Sequence, residues 1–217
     1  TYRGASVSEA IAIDDLGNVY VAGTSLSGSG FADYTTVKYD ANGTEQWVAR
    51  YGQVDSDDKA WDIALDRSGN VYVTGESFDR VGSETRDVVT IKYSPDGEEI
   101  WVRRYDSEFK KWEQGRRIAL DGEANVYVSG YCTSCCDCAN TNSDYLIVKY
   151  DPNGSEMWAE SYNGPGDSID MLTDMAVDEA GNVYVTGYSH NGSDTDYTCL
   201  LYTSPSPRDL STSRMPS

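Results

Sequence analysis

Four of the chain's five cysteines, Cys132, Cys135, Cys136 and Cys138, crowd into one stretch, "YCTSCCDC". Thiols so placed can close local disulfides in an oxidising compartment, bind a soft metal as thiolates, or stay free as nucleophiles. The C-x2-C-C-x-C spacing does not match the paired C-x2-C knuckles of common zinc sites. Vicinal Cys135 and Cys136 are poor partners for each other, whereas Cys132 and Cys138 can each reach a partner between them. Disulfides are therefore the preferred expectation, with a thiolate-bound metal and free thiols as alternatives.

Other chemistry is sparsely furnished. His190 is the single histidine, so a histidine-based triad or a multi-histidine metal centre cannot be assembled from these residues. Asp40, Asn42 and Glu45, and again Asp151, Asn153 and Glu156, gather oxygen atoms as calcium would require, but without the alternating acidic ladder. Asp and Asn at a tight turn account for the same residues. The adjacent Asp57 and Asp58 have no spacing that marks an acid/base pair. No catalytic residue and no cofactor is assigned; calcium and a thiolate-bound metal are the alternatives kept open.

The balance of 36 acidic against 17 basic residues, a formal charge of -19, repels phosphate backbones and anionic lipid surfaces, which argues against nucleic acid as a partner. No apolar run is long enough to cross a bilayer as a helix. The 217 residues, 39% of them hydrophobic, suffice for a packed core.

The elements that must position any site emerge from self-comparison. "IAIDDLGNVYVAG", "IALDRSGNVYVTG", "IALDGEANVYVSG" and "MAVDEAGNVYVTG" begin at Ile11, Ile63, Ile118 and Met175, a period of 52 to 57 residues. Between them lie "DYTTVKYDANGTEQWVARY", "DVVTIKYSPDGEEIWVRRY" and "DYLIVKYDPNGSEMWAESY". Such a period marks a repeat architecture. Each unit reads as four strands: a short apolar run, Asn-Val-Tyr-Val, a second apolar run ending in Lys38, Lys92 or Lys149, and a strand carrying Trp47, Trp101 or Trp158. Asn42-Gly43, Asp96-Gly97 and Asn153-Gly154 supply the tight turns. Four antiparallel strands per unit, with no helical period, predict an all-β chain of β-propeller blades.

These residues resemble the bacterial seven-bladed β-propeller repeat family, the SBBP repeats, with a pattern close to D-x-x-G-N-V-Y-V-T-G followed by K-Y-D-x-x-G-x-x-x-W. The resemblance implies the propeller fold and leaves activity open. Three complete four-stranded antiparallel blades are expected at 9–51, 62–105 and 116–162, with a partial fourth at 173–198. Residues 199–217 lack the lysine, the hairpin glycine and the tryptophan, and are expected to be a disordered or artefactual tail. The opening Thr1-Tyr2-Arg3-Gly4 aligns with the end of a fourth strand, so the chain reads as a propeller fragment whose end blades expose apolar faces.

Turn spacing within the Asp-x-x-x-Asn and Lys-to-Trp segments is constant from copy to copy. The Asn-to-Lys distance across the second-to-third connection instead grows from 20 to 22 to 24 residues (Asn18 to Lys38, Asn70 to Lys92, Asn125 to Lys149). In an up-and-down blade that connection and the fourth-to-first connection leave from one end, where recognition is normally placed. The cysteine stretch is one such connection, and Trp61, Phe109 and Trp112 are read as aromatics of the others. The expected ligand rim comprises Asp62, Arg117 and Asp174 from the starts of first strands and Glu76, Tyr131 and Tyr188 after the second-strand glycines. The expected function is a non-catalytic binding or display scaffold of a secreted or cell-surface bacterial protein. Its partner would be an unidentified protein, peptide or glycan, besides the parent's remaining blades. The alternatives are a propeller enzyme, hydrolase or lyase, with its catalytic residues in missing blades, and a structural spacer.

Overall fold

The structure is a computed structural model that describes residues 6–27, 30–53, 56–79, 85–107, 112–133, 143–164, 168–190 and 194–202, and the backbone of 211–213. The described residues form four antiparallel four-stranded sheets in which consecutive strands are neighbours. The first sheet holds β1 (Ser6–Ile13), β2 (Val19–Leu26), β3 (Ala32–Tyr39) and β4 (Glu45–Tyr51). The second holds β5 (Ser56–Leu65), β6 (Val71–Asp79), β7 (Arg86–Tyr93) and β8 (Glu99–Tyr105), and the third β9 (Trp112–Leu120), β10 (Val126–Thr133), β11 (Ser143–Tyr150) and β12 (Glu156–Tyr162). The fourth holds β13 (Asp170–Val177), β14 (Val183–His190), β15 (Thr195–Tyr202) and the short β16 (Ser211–Ser213). These are the up-and-down blades of a β-propeller. Two compact units divide the chain, Thr1–Asp106 with the first two sheets and Ser107–Ser217 with the last two. No helix among the described residues is long and apolar enough to cross a membrane.

The repeat motif is a hydrogen-bonding programme. In every sheet the Asp that ends the first strand folds its carboxylate back over the turn: Oδ1 of Asp121 accepts from the backbone N–H of Glu123 (3.0 Å) and Asn125 (2.9 Å). Its Oδ2 accepts from Asn125 Nδ2 (2.7 Å) and the Tyr127 hydroxyl (3.0 Å). Asp14, Asp66 and Asp178 repeat the pattern. Asp, Asn and Tyr are thus fixed together because one carboxylate satisfies four donors that the turn would otherwise leave unpaired. Three of the turns place glycine in the left-handed region, and the third copy places Ala124 there at φ 62°.

A row of side chains then crosses each of the first three sheets. Tyr20, Lys38 and Trp47 stand in register, as do Tyr72, Lys92 and Trp101, and Tyr127, Lys149 and Trp158. The lysine ammonium lies over the tyrosine ring at 5.1, 5.0 and 4.7 Å, and the tyrosine meets the tryptophan edge-on at 6.1, 6.1 and 6.3 Å. Each aromatic pair contributes about 0.5–1.5 kcal/mol beyond its area. The Lys-Tyr and Trp of the motif are therefore scaffold.

Within each unit the two blades pack face to face. In the first, Tyr20, Ala22 and Tyr34 meet Ala60, Ile63, Val71, Val73, Val89 and Ile91. In the second, Tyr127, Tyr145 and Ile147 meet Leu172, Val183, Val185, Leu200 and Tyr202. Burying each such aliphatic side chain contributes about 1.5–3 kcal/mol. Every first strand carries a bulge opposite the second-strand glycine, with Glu9, Trp61, Arg116 and Thr173 as the extra residues. The bulge drives a first-strand carbonyl into the space a side chain would occupy: a Cβ on Gly75 would collide with the Lys59 carbonyl oxygen.

Two expectations are corrected. First strands begin well before their apolar runs, so Asp62, Arg117 and Asp174 lie inside β5, β9 and β13 rather than at their starts, and Trp61 and Trp112 belong to strands rather than to loops. Polar residues hold these strand beginnings because their carboxylates anchor the preceding connection, as described below. The boundary at 198/199 also moves, since β15 continues to Tyr202 and buries Leu200 and Tyr202 in the core of the second unit. Leu200 and Tyr202 occupy the places of Val37 and Tyr39, a match hidden by Leu201 standing where lysine stands elsewhere.

Candidate functional site

The connections β2–β3, β4–β5 and β6–β7 leave one end of the sheets of the first unit, and β10–β11, β12–β13 and β14–β15 the corresponding end in the second. Beneath them each sheet presents one in-register pair from its first two strands: Val7 and Thr24, Lys59 and Glu76, Gln114 and Tyr131, Met171 and Tyr188. One register position thus displays four different residue pairs.

Glu76 is 2% exposed. Its Oε1 accepts from Arg86 Nη1 at 2.7 Å and lies 4.0 Å from Lys59 Nζ, while Oε2 meets no hydrogen-bond donor among the described residues. Arg86 also lies over the Phe78 ring at 5.0 Å. In the second unit the Tyr131 hydroxyl donates to Gln114 Oε1 (2.5 Å) and accepts from Arg116 Nη2 (2.8 Å), with the guanidinium 5.3 Å from the ring centre. Tyr188 donates to the Met171 sulfur at 2.9 Å. Arg117 and Asp174 meet across neighbouring blades, Nε to Oδ1 at 3.2 Å, the aspartate exposed and the arginine partly so. Such a pair contributes at most about 1 kcal/mol. Asp62 accepts from the N–H of Ile63 at 2.9 Å. The structure therefore joins Arg117 to Asp174 and places Glu76, Tyr131 and Tyr188 at equivalent positions, each held by its own strand neighbour.

A second set of groups, unforeseen from sequence, lies close by. Asp58, Glu113 and Asp170 are fully buried at equivalent first-strand positions. Asp58 Oδ2 accepts from Gln53 N (2.9 Å) and the Ser56 hydroxyl (2.6 Å), Glu113 Oε1 from the Ser107 hydroxyl (2.5 Å) and Asp170 Oδ2 from Gly164 N (2.5 Å). Each carboxylate fastens the chain two residues past the preceding fourth strand and so acts as a structural anchor. Asp87 is bound by Arg104, which also reaches Ser77 Oγ (3.0 Å) and Gln53 Oε1 (2.9 Å). Burial raises the Asp87 pKa above the usual carboxylate range, and Arg104 opposes that rise. The signal for the anchors was their polar type at a strand beginning, masked because Asp and Glu alternate and the loop spacing changes.

Among the metal readings, Asp40 spends its oxygens on Asn42 N, Thr44 N and Gln46 Nε2, and Asp151 Oδ1 on Asn153 N and Ser155 N. These are turn bonds. Cys132 is buried at the end of β10, whereas Cys135, Cys136 and Cys138, and with them the disulfide expectation, lie outside the described residues, as does Phe109. His190 donates its backbone N–H to the Ile169 carbonyl.

Comparison with known proteins agrees with the fold. The β-propeller repeat model SBBP matches residues 2–31, 46–77 and 163–193. An uncharacterised WD repeat-containing protein, L264 of Acanthamoeba polyphaga mimivirus, is 26% identical over 156 residues, which is 58% of this chain and 11% of that protein. Among solved structures, a polysaccharide lyase of family PL25, an ulvan lyase, superposes with TM-score 0.64 at 12% identity, over 94% of this chain and 54% of that one. A GH43 β-xylosidase/α-arabinofuranosidase from a compost microbial metagenome superposes with TM-score 0.54 at 11% identity, over 99% and 78%. The chain thus spans about half of the lyase and a small part of the viral protein, and these likenesses concern the fold.

Proposed function

We propose that this chain, which carries SBBP β-propeller repeats, is a binding and display scaffold of a secreted or cell-surface bacterial protein, taking a ligand at the end of its blades from which the variable connections leave. The observation that carries the reading is a division of labour. The repeated residues Asp, Asn, Tyr, Lys and Trp are consumed by turns and cross-strand rows. At the variable end one backbone position carries Thr24, Glu76, Tyr131 and Tyr188 in turn. Ligand recognition on rigid repeats works in this way, by varying side chains on a fixed frame. The net charge of -19 disfavours polyanions, so the ligand class is a neutral glycan or a basic peptide.

The test is an array of neutral oligosaccharides, sulfated oligosaccharides and lysine-rich peptides. Binding to a neutral sugar or a basic peptide that weakens about tenfold in Tyr131→Ala or Tyr188→Ala fits the reading. Retention of only the sulfated oligosaccharides would contradict it. A second reading, that the chain is part of a propeller enzyme, is favoured by the lyase and glycosidase that share the fold. Turnover of an array glycan by the chain would select it.

A further inference from the structure

In each of the first two sheets an arginine of the fourth strand reaches back to the polar beginnings of the inner strands. Arg50 Nη1 donates to Ser25 Oγ at 2.9 Å. Burial, and then the charge of Asp58, raise the Asp33 pKa, and Arg50 opposes that rise. Arg104 binds Asp87 and donates to Ser77 Oγ at 3.0 Å. A guanidinium thus serves the third-strand aspartate and the second-strand serine in both sheets. The third sheet keeps the aspartate, Asp144, but places Ser161 where Arg50 and Arg104 stand.

The fourth sheet brings a second carboxylate to the same seam. Ser143 pairs with Ile169, and its hydroxyl donates to the Asp170 carbonyl at 3.1 Å, so the beginnings of β11 and β13 lie side by side with Asp144 and Asp170 next in each. Asp170 is fully buried. Its Oδ2 accepts from the Gly164 N–H at 2.5 Å, whereas Oδ1 meets no donor, and the residue forms no ion pair among the described residues. The equivalent Asp58 has two donors on its bonded oxygen, Gln53 N and the Ser56 hydroxyl. Ser189, in register with Asp170, is 4% exposed, and its hydroxyl also has no partner. Both atoms converge beside Gly164, where a built Cβ would collide with Ser189 Oγ and Asp170 Oδ1. A buried carboxylate with one donor is costly unless a positive charge is brought to it.

We infer that this seam of the second unit binds a calcium ion, held by Asp170 Oδ1, the Ser189 hydroxyl and the Asp144 carboxylate. The ion takes the part that arginine plays in the first two sheets. Two carboxylates neutralise a divalent cation, and donors that are all oxygen select a hard one. Asp144 is half-buried, which leaves the ion open to water on one side. So irregular a set suits the flexible coordination of calcium better than the strict octahedron of magnesium.

Terbium luminescence tests the inference, because terbium substitutes for calcium and is excited through nearby tyrosines, of which Tyr145 adjoins Asp144. The whole chain, stripped with a chelator, is expected to bind terbium that calcium displaces, and calcium is expected to raise its melting temperature. Asp144→Asn and Asp170→Asn are each expected to weaken calcium binding by about tenfold or more. Asp40→Asn, at a turn remote in sequence, is expected to leave it unchanged. Asp144 is the less buried of the two ligands, so Asp144→Asn decides the matter if Asp170→Asn does not fold. A wild-type chain that neither binds terbium nor gains stability from calcium overturns the inference. So does calcium binding that is undiminished in folded Asp144→Asn, or that is lost equally in Asp40→Asn, since the ion would then be held elsewhere or by net charge alone.

Discussion

Ala124 occupies the left-handed turn position that glycine fills in the other three copies. A side chain there costs about 1 kcal/mol, so Ala124→Gly is expected to stabilise the protein by about 0.5–1 kcal/mol in urea melts; a loss of stability would show that the turn is not strained. The buried tyrosines make a second prediction. Burial raises the pKa of Tyr34 well above its ordinary value of 10.0, and does the same for Tyr72, Tyr127 and Tyr145. The folded state therefore keeps protons that the unfolded chain releases near pH 10. That contribution to stability is complete below about pH 10 and is lost as the pH climbs toward the folded values. Absorbance at the phenolate band is expected to rise together with unfolding, and ionisation of these tyrosines in folded protein would refute the packing. At this scale the Asp-x-x-Gly-Asn turn was legible, because the same residues recur at fixed spacing. The anchoring role of Asp58, Glu113 and Asp170 was not: their partners lie across connections of changing length, and the acid itself alternates between Asp and Glu.

Strands were legible wherever apolar residues and turn glycines coincided, which is why the four-stranded unit was evident. Their beginnings were not, because β5 opens with Ser56-Asp57-Asp58-Lys59, a run that reads as loop until its ladder with β6 and its buried carboxylate are seen. The same cause displaced Asp62, Arg117 and Asp174 into the strands. The end of β15 was lost because one substitution, Leu201 for lysine, broke the pattern while the inward residues persisted. The bulge gives this scale its prediction. Gly75→Ala places a methyl group against the Lys59 carbonyl and the Ala60 backbone and is expected to cost about 3 kcal/mol or more. Gly43→Ala meets no atom within 4 Å and has only its positive φ of 80° to resist it, a cost of about 1 kcal/mol. Equal losses for the two in denaturant melts would remove the bulge as the reason for the second-strand glycine.

Across the whole molecule, the residues that made the repeat recognisable are spent on turns and cross-strand rows, while the proposed rim is written in residues that differ between copies. Sequence comparison between repeats therefore locates the frame with ease and the proposed site only by subtraction. It can place Glu76, Tyr131 and Tyr188 at one register position, but not the Arg86, Gln114 and Met171 contacts that orient them. The most direct test sets the two classes side by side on the oligosaccharide and peptide array, with thermal melts as the folding control. Asp121→Ala removes the acceptor of four turn bonds and is expected to cost about 2–3 kcal/mol while leaving binding by the remaining folded protein intact. Tyr131→Ala is expected to leave the melt within a few degrees of wild type and to weaken binding about tenfold. Binding that survives Tyr131→Ala unchanged but fails in folded Asp121→Ala would place recognition at the turn end of the blades and contradict the account.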